Sequence, residues 1–99
     1  MPINVAKKAR TALGRLVCEN INGYEQQYYP LGEYVVVQPQ VCGGRPTIKY
    51  TRMTASAILA ALKRGESIHQ IALETGIPAE AIAEVERLAA DYDYEQSYA

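Results

Sequence analysis

Residues 67–89, SIHQIALETGIPAEAIAEVERLA, constrain the fold most, because they predict two helices joined by a tight turn. Ala72 is small enough to let the two helices approach closely. Gly76, four residues later, permits the positive φ that such a turn requires. Ile82, six residues after Gly76, fills the gap between the helices. We therefore predict a helix-turn-helix in this stretch.

The caps around these residues predict three helices in the second half of the chain. Thr54 can cap the first helix through its hydroxyl group. Ser67 and Gln70 have the spacing of a capping box, in which the hydroxyl accepts from the third helical amide and Gln70 reaches back. Pro78 suits the start of the third helix, whose apolar spacing continues to about Tyr92.

The exposed face predicted for the third helix is acidic. Glu80, Glu84, Arg87 and Asp91 share one face, and three of these four residues are acids. A DNA-reading helix places Arg, Lys, Asn or Gln there to contact base edges. Carboxylates are repelled by phosphates and supply no counterion release. We predict that this face is a partner-binding surface for another protein or a solvated surface.

The bases lie in a different stretch of the chain. Val41 to Gly65 has five bases and no acid, whereas the chain from Glu66 onward has eight acids and one base. If DNA is bound, the predicted phosphate contacts are Arg45, Lys49, Arg52, Lys63 and Arg64. Lys63 and Arg64 could instead complement the dipole at the end of the first helix. Arg45 and Arg52 could instead pair with acids of the third helix in the same copy or in a second copy.

The first third of the chain gives weaker patterns. Ile3 to Val17 has apolar residues at helical spacing, which predicts an additional N-terminal helix. Glu19 to Glu33 contains Asn, Gly, Gln and Pro without a clear period, which indicates a loop. We therefore treat residues 1–33 as an extension that consists of a helix and a loop.

Residues 34–51 predict a short β-ribbon. Val35–Val37 is β-branched and forms the first strand, and Thr47–Thr51 forms the second after a turn at Gly43 and Gly44. In this second strand Lys49 and Tyr50 should point to opposite faces.

Together these patterns predict a mainly α fold. A three-helix bundle containing the helix-turn-helix is joined by a short β-ribbon and an extra N-terminal helix. The domain spans residues 34–92, and residues 93–99 form an acidic, flexible tail.

Catalytic and metal chemistry are not indicated. His69 is the single histidine, and Cys18 and Cys42 are too few for a disulfide scaffold or a zinc site. No constellation of a nucleophile and a base is apparent. We expect no enzyme activity and no cofactor. The absence of an apolar span and the expected reduced thiols indicate a cytoplasmic protein without a membrane partner.

A longer stretch, Val35 to Tyr92, resembles the domain-of-unknown-function family numbered 433. The matching residues are Gly44-Arg45-Pro46, Ile48, Thr51-Arg52, Gly65 and Ile82. Tyr50 stands where that family has Gly, and Pro78-Ala79 replaces its Thr-Pro helix start. The resemblance implies a homeodomain-like three-helix bundle and a role as an antitoxin, often beside a PIN-like ribonuclease.

Two functions are therefore expected. The first is a small regulatory protein that resembles an antitoxin, forms a homodimer through its ribbon and tyrosines, and binds a protein partner, a PIN-like toxin, through its helical domain. The alternative is a DNA-binding transcriptional regulator that uses the basic ribbon and the helix-turn-helix. A third, weaker interpretation is a purely structural dimer module.

Overall fold

The computed structural model describes residues 13–98, which form a four-stranded antiparallel sheet followed by three helices. The strands lie in the order β1-β2-β3-β4. Their bounds are β1 Val17–Ile21, β2 Tyr24–Pro30, β3 Val35–Val37 and β4 Pro46–Ile48, with one 3-10 turn at Cys42–Gly44 between β3 and β4. The helices are α1 Ala55–Lys63, α2 Ile68–Thr75 and α3 Ala79–Leu88.

The prediction of a mainly α fold is therefore wrong, and the chain has a mixed α and β fold. The predicted loop at Glu19–Glu33 contains most of the β1–β2 hairpin, in which Ile21 pairs with Tyr24 across a two-residue turn. That turn is Asn22-Gly23, with φ of 52° and 86°. Two positive φ angles are typical of the type I′ turn that suits the twist of a hairpin.

The predicted N-terminal helix, Ile3 to Val17, is wrong for its last five residues, 13–17. Residues 3–12 lie outside the described part of the chain. Residues 13–16 form neither helix nor strand, and Val17 begins β1 instead of ending a helix. The alternation of Val17, Glu19 and Ile21 on one face of the hairpin explains this difference, since it has a period of two.

The predicted ribbon exists, but its second strand is displaced. β4 ends at Ile48, and the chain turns at Lys49 and Tyr50, where Tyr50 has a φ of 68°. The prediction that these two side chains point to opposite faces is wrong, because the Lys49 ammonium lies 5.4 Å from the centroid of the Tyr50 ring. A positive φ breaks the alternation that an extended strand would impose.

The predicted side-chain caps begin α1 and α2, whereas α3 begins after Pro78 without a side-chain cap. Thr54 accepts from the Ala57 amide at 3.2 Å, and Ser67 accepts from the Gln70 amide at 3.0 Å. The return half of the capping box is not made, since the Gln70 side chain donates to Glu74 at 3.4 Å. Gly76 closes α2 with a φ of 77°.

The core lies between the helices and the short strands β3 and β4. Its largest fully buried members include Ile58 of α1, Ile82 and Val85 of α3, and Val35 of β3. Ala72 of α2 is partly buried against this cluster. The close approach of α2 and α3 around Ala72, Gly76 and Ile82 agrees with the predicted shape.

Residues 93–98 do not form the predicted free tail, and α3 ends at Leu88 rather than near Tyr92. The buried Tyr94 donates its hydroxyl to the Val85 carbonyl at 2.6 Å. Tyr98 is also buried, and its amide donates to the Gly44 carbonyl at 2.9 Å. The acidic composition suggested fraying, but burial of two aromatic rings outweighs it. Within residues 13–98, no helix has the length and apolar character needed to cross a membrane.

Candidate functional site

Glu84 lies inside the molecule, although it was predicted to face a partner. Its side chain is 5% exposed, and its carboxylate accepts from the backbone amides of Glu33, Tyr34 and Val35 at 2.8, 2.7 and 2.7 Å. Arg87 donates to the same carboxylate at 3.4 Å. Glu84 therefore ties α3 to the segment before β3, and the prediction that it contacts a partner is wrong.

The surroundings of Glu84 keep it ionised. Burial raises the pKa of the Glu84 carboxyl, but the three backbone amides and Arg87 outweigh burial, so the pKa lies below its usual value. Space around the carboxylate is tight, because a Cβ at Gly32 would come within 2.7 Å of it. Gly32 therefore allows the backbone to approach the charge closely.

The rest of the predicted partner face remains on the surface. Glu80 and Arg87 are exposed, whereas Asp91 follows the end of α3 and is half-buried. Between them α3 also exposes Ala83 and Glu86. We call Glu80, Ala83, Glu86 and Arg87 the α3 face. It carries two exposed carboxylates, Glu80 and Glu86, and its one base contacts Glu84.

The five predicted phosphate contacts are spread over several elements. Arg45 follows the 3-10 turn, Arg52 precedes α1, and Lys63 is the last residue of α1; all three are exposed. Arg64 pairs with Glu66 at 2.9 Å. Lys49 is half-buried, and its ammonium lies over the Tyr28 and Tyr50 rings at 5.3 and 5.4 Å.

A cluster around Tyr50 joins the hairpin to the turn after β4. The Tyr50 hydroxyl donates to Glu19 at 2.7 Å, and its ring meets the Tyr28 ring edge to face at 6.5 Å between centroids. Burial, and then the Glu19 carboxylate, raise the pKa of Tyr28 to about 12. The hydrogen bond from Tyr50, followed by that from Tyr28, lowers the pKa of Glu19.

Sequence reasoning missed this cluster, because it treated residues 19–33 as a loop. Tyr50 itself was marked as a departure from the glycine of the resembling family. A non-glycine residue at φ 68° is strained, and such strain is often found where a side chain has a binding role.

An apolar groove lies beside the cluster. It has a volume of about 380 Å³, and its walls include Tyr34, Ile48, Tyr50, Ile77 and Pro78. One wall comes from β4 and the turn after it, and the other comes from the turn between α2 and α3. Pockets of roughly 300–1,000 Å³ hold small molecules or protein side chains. We call this feature the groove.

The described residues offer little for metal or nucleophilic chemistry. Residues 13–98 contain no group of three or more His, Cys, Asp or Glu placed to hold a metal ion. His69 and Cys18 are exposed, and Cys42 is half-buried and donates its thiol to the Arg52 carbonyl at 3.3 Å. The expectation that the protein is not an enzyme stays a prediction.

Comparison with known proteins identifies one family. Neither the curated proteins nor the solved structures include a match to this chain. The model of the family described as "Protein of unknown function (DUF433)" matches residues 35–89, which is more than half of the 99 residues. This span contains β3, β4 and all three helices, and it leaves out the β1–β2 hairpin. The chain therefore belongs to the DUF433 family of proteins of unknown function.

Proposed function

We propose that this chain is a small regulatory protein that binds another protein through its helical domain, in the manner of an antitoxin. The observation that supports this function is the α3 face. Glu80 and Glu86 are exposed carboxylates on either side of the small Ala83. The one base of this face, Arg87, donates to Glu84 at 3.4 Å, and its side chain stays 64% exposed.

The chemistry of the α3 face favours a basic protein surface as its partner. Carboxylates attract Lys and Arg of a partner and steer association, whereas they repel nucleic acid. Short side chains such as Ala83 allow close approach of another helix or strand. The PIN-like ribonuclease implied by the family resemblance is the partner that we propose to test first.

The test is a binding titration with a purified PIN-like ribonuclease. Glu80→Lys with Glu86→Lys should weaken binding by at least tenfold, a loss of about 1.4 kcal/mol. The matched control is Glu74→Lys with Glu95→Lys, since both are exposed acids outside α3 and give the same change in net charge. Equal affinity for the α3-face variant and the wild type would contradict the proposal.

DNA binding is a second candidate, and a specific observation favours it. Arg45 and Arg52 are exposed, and neither forms an ion pair with a carboxylate of residues 13–98. The pairing with α3 acids that was expected as the alternative is thus not made within one copy. Arg45→Ala with Arg52→Ala should lower the slope of log K against log salt by about 1.8 if both contact phosphates. An unchanged slope would remove this candidate.

A further inference from the structure

The β1–β2 hairpin, residues 17–30, forms an arm with an apolar tip. Ile21 and Tyr24 pair directly across the strands and therefore share one face. Their exposed fractions are 36% and 73%, and they are two of only four large hydrophobic residues exposed in the described chain. An isolated two-stranded hairpin is marginally stable in water, so a cover over this tip would stabilise it.

The base of the arm contacts the groove wall of its own copy through Tyr28 and Tyr50, but the tip at Ile21 and Tyr24 points away from it. β2 pairs with β3 only at Tyr29 and Pro30, and this pairing fixes the base of the arm in the sheet. The tip at Tyr24 lies six residues away along β2, or about 20 Å at the rise of a strand. An occupant of the groove that comes from the arm must therefore come from another molecule.

The groove and the arm tip are complementary in size and polarity. The groove, at about 380 Å³, has room for one or two large side chains. Its walls are largely aliphatic and aromatic, which suits the ring of Tyr24 beside the side chain of Ile21. The strained Tyr50 forms part of the wall and is itself 51% exposed.

Their charges are complementary as well. The two strands of the arm carry Glu19 and Glu25 and no base, and Glu19 already accepts from Tyr50 of its own copy. The wall of the groove that follows β4 belongs to the stretch from Val41 to Gly65, which has five bases and no acid. Lys49 lines the groove, and the exposed Arg52 follows it three residues later. Glu33 also lines the groove, so the attraction of an acidic arm acts at the side formed by Lys49 and Arg52.

We propose that the arm of one copy docks in the groove of a second copy of this chain. Both surfaces are present on every copy, so a two-fold axis gives two equivalent arm-to-groove contacts. The contact of Tyr28 with Tyr50 makes the apolar face of the arm continuous with the groove wall. This inference goes beyond the proposed function, since it concerns a surface other than the α3 face and needs no foreign partner.

The experiment uses light scattering after size exclusion over a concentration series of the full chain. The arm variant is Ile21→Thr with Tyr24→Thr, which keeps strand-forming side chains but removes the apolar tip. The groove variant is Tyr50→Gly, which removes a wall but suits the positive φ at this position. Each should raise the dimer dissociation constant by at least tenfold. Leu73→Ser is the matched control, because Leu73 is 73% exposed, like Tyr24, and lies on α2.

Mixing the two variants gives the decisive result. The arm variant keeps an intact groove. The groove variant loses the contacts of Tyr50 with Glu19 and Tyr28 but keeps the arm tip, Ile21 and Tyr24, so a mixed pair retains one tip-to-groove contact. The mixture should associate more tightly than either variant does alone, with both chains shown to be folded by circular dichroism. A monomeric wild type, or a mixture no tighter than its components, would overturn the proposal. Loss of binding to a foreign partner by the arm variant, with no self-association of the wild type, would also overturn it.

Discussion

At the residue scale, Glu84 shows how one buried charge can organise a small domain. Three backbone amides converge on its carboxylate, so the segment before β3 is held against α3. A buried charge is costly unless it is paired and hydrogen-bonded, and here the fold supplies those partners. From helical spacing alone, Glu84 was predicted to lie on an exposed acidic face. Helical spacing does not show which edge of a helix face is covered by the rest of the fold.

Replacing this carboxylate should destabilise the fold. In Glu84→Gln one side-chain oxygen still accepts, but the amide group faces backbone N–H donors that need an acceptor. We expect the free energy of unfolding to fall by about 1–3 kcal/mol, measured by urea denaturation. Glu80→Gln, an exposed acid one helical turn earlier, should change it by less than about 0.5 kcal/mol. Equal effects from the two variants would show that the amide contacts do not stabilise the fold.

The same contacts predict an acid-dependent loss of stability. The pKa of Glu84 is lowered in the folded state from an ordinary value of 4.5. Its contribution is therefore complete above pH 4.5 and is lost as the pH falls through the lower folded value. Between about pH 5 and pH 3, the melting temperature of the wild type should fall more steeply than that of Glu84→Gln. If the melting temperatures of the wild type and Glu84→Gln fall in parallel over this pH range, the lowered pKa of Glu84 does not contribute to stability.

At the element scale, the hairpin depends on its two-residue turn. Gly23 has a φ of 86°, and its amide donates to the Asn20 side chain at 3.0 Å. Gly23→Ala places a Cβ in a left-handed conformation and should lower the free energy of unfolding by about 1 kcal/mol. Gly14→Ala is the control, because no atom lies within 4 Å of a Cβ there and its φ is not positive. If both changes have the same effect, the turn does not limit the stability of the hairpin.

The elements differ in how well the sequence predicts them. Helix caps are local signals, and Thr54, Ser67 and Gly76 were identified correctly because each acts within one turn of its helix. The hairpin also had a local signal in Asn22-Gly23, but the polar Gln26 and Gln27 obscured the alternation around it. The tight turn and the buried Ile82 agree with the predicted helix pair, whereas assignment to the helix-turn-helix class remains a prediction.

The candidate sites were harder to predict than the helices. The groove is formed by residues 33–34, 48–51 and 75–78, which only the tertiary fold brings together. Tyr50 gave a partial signal, since a bulky residue stood where the family has glycine. The docking of Tyr94 and Tyr98 depended on carbonyls of Val85 and Gly44 that no pattern in the tail reveals.

At the scale of the whole molecule, two surfaces have separate roles in this account. The proposed partner of the α3 face is a basic protein, and the proposed partner of the arm and the groove is a second copy of this chain. The five bases predicted to contact phosphates lie outside α3, and of these five only Lys49 lines the groove. Variants of Glu80 and Tyr24 should therefore affect different interactions, which the titration and the light-scattering series measure independently.

The most direct test of the central claim, that the α3 face binds protein and does not read DNA, is fluorescence anisotropy of the purified full chain. Duplex from the upstream region of its own gene would be compared with a scrambled duplex at low and physiological salt. We expect the two duplexes to bind equally and weakly, because acidic side chains on α3 contact neither phosphates nor base edges favourably. Tight binding that prefers the upstream duplex by tenfold or more would contradict it.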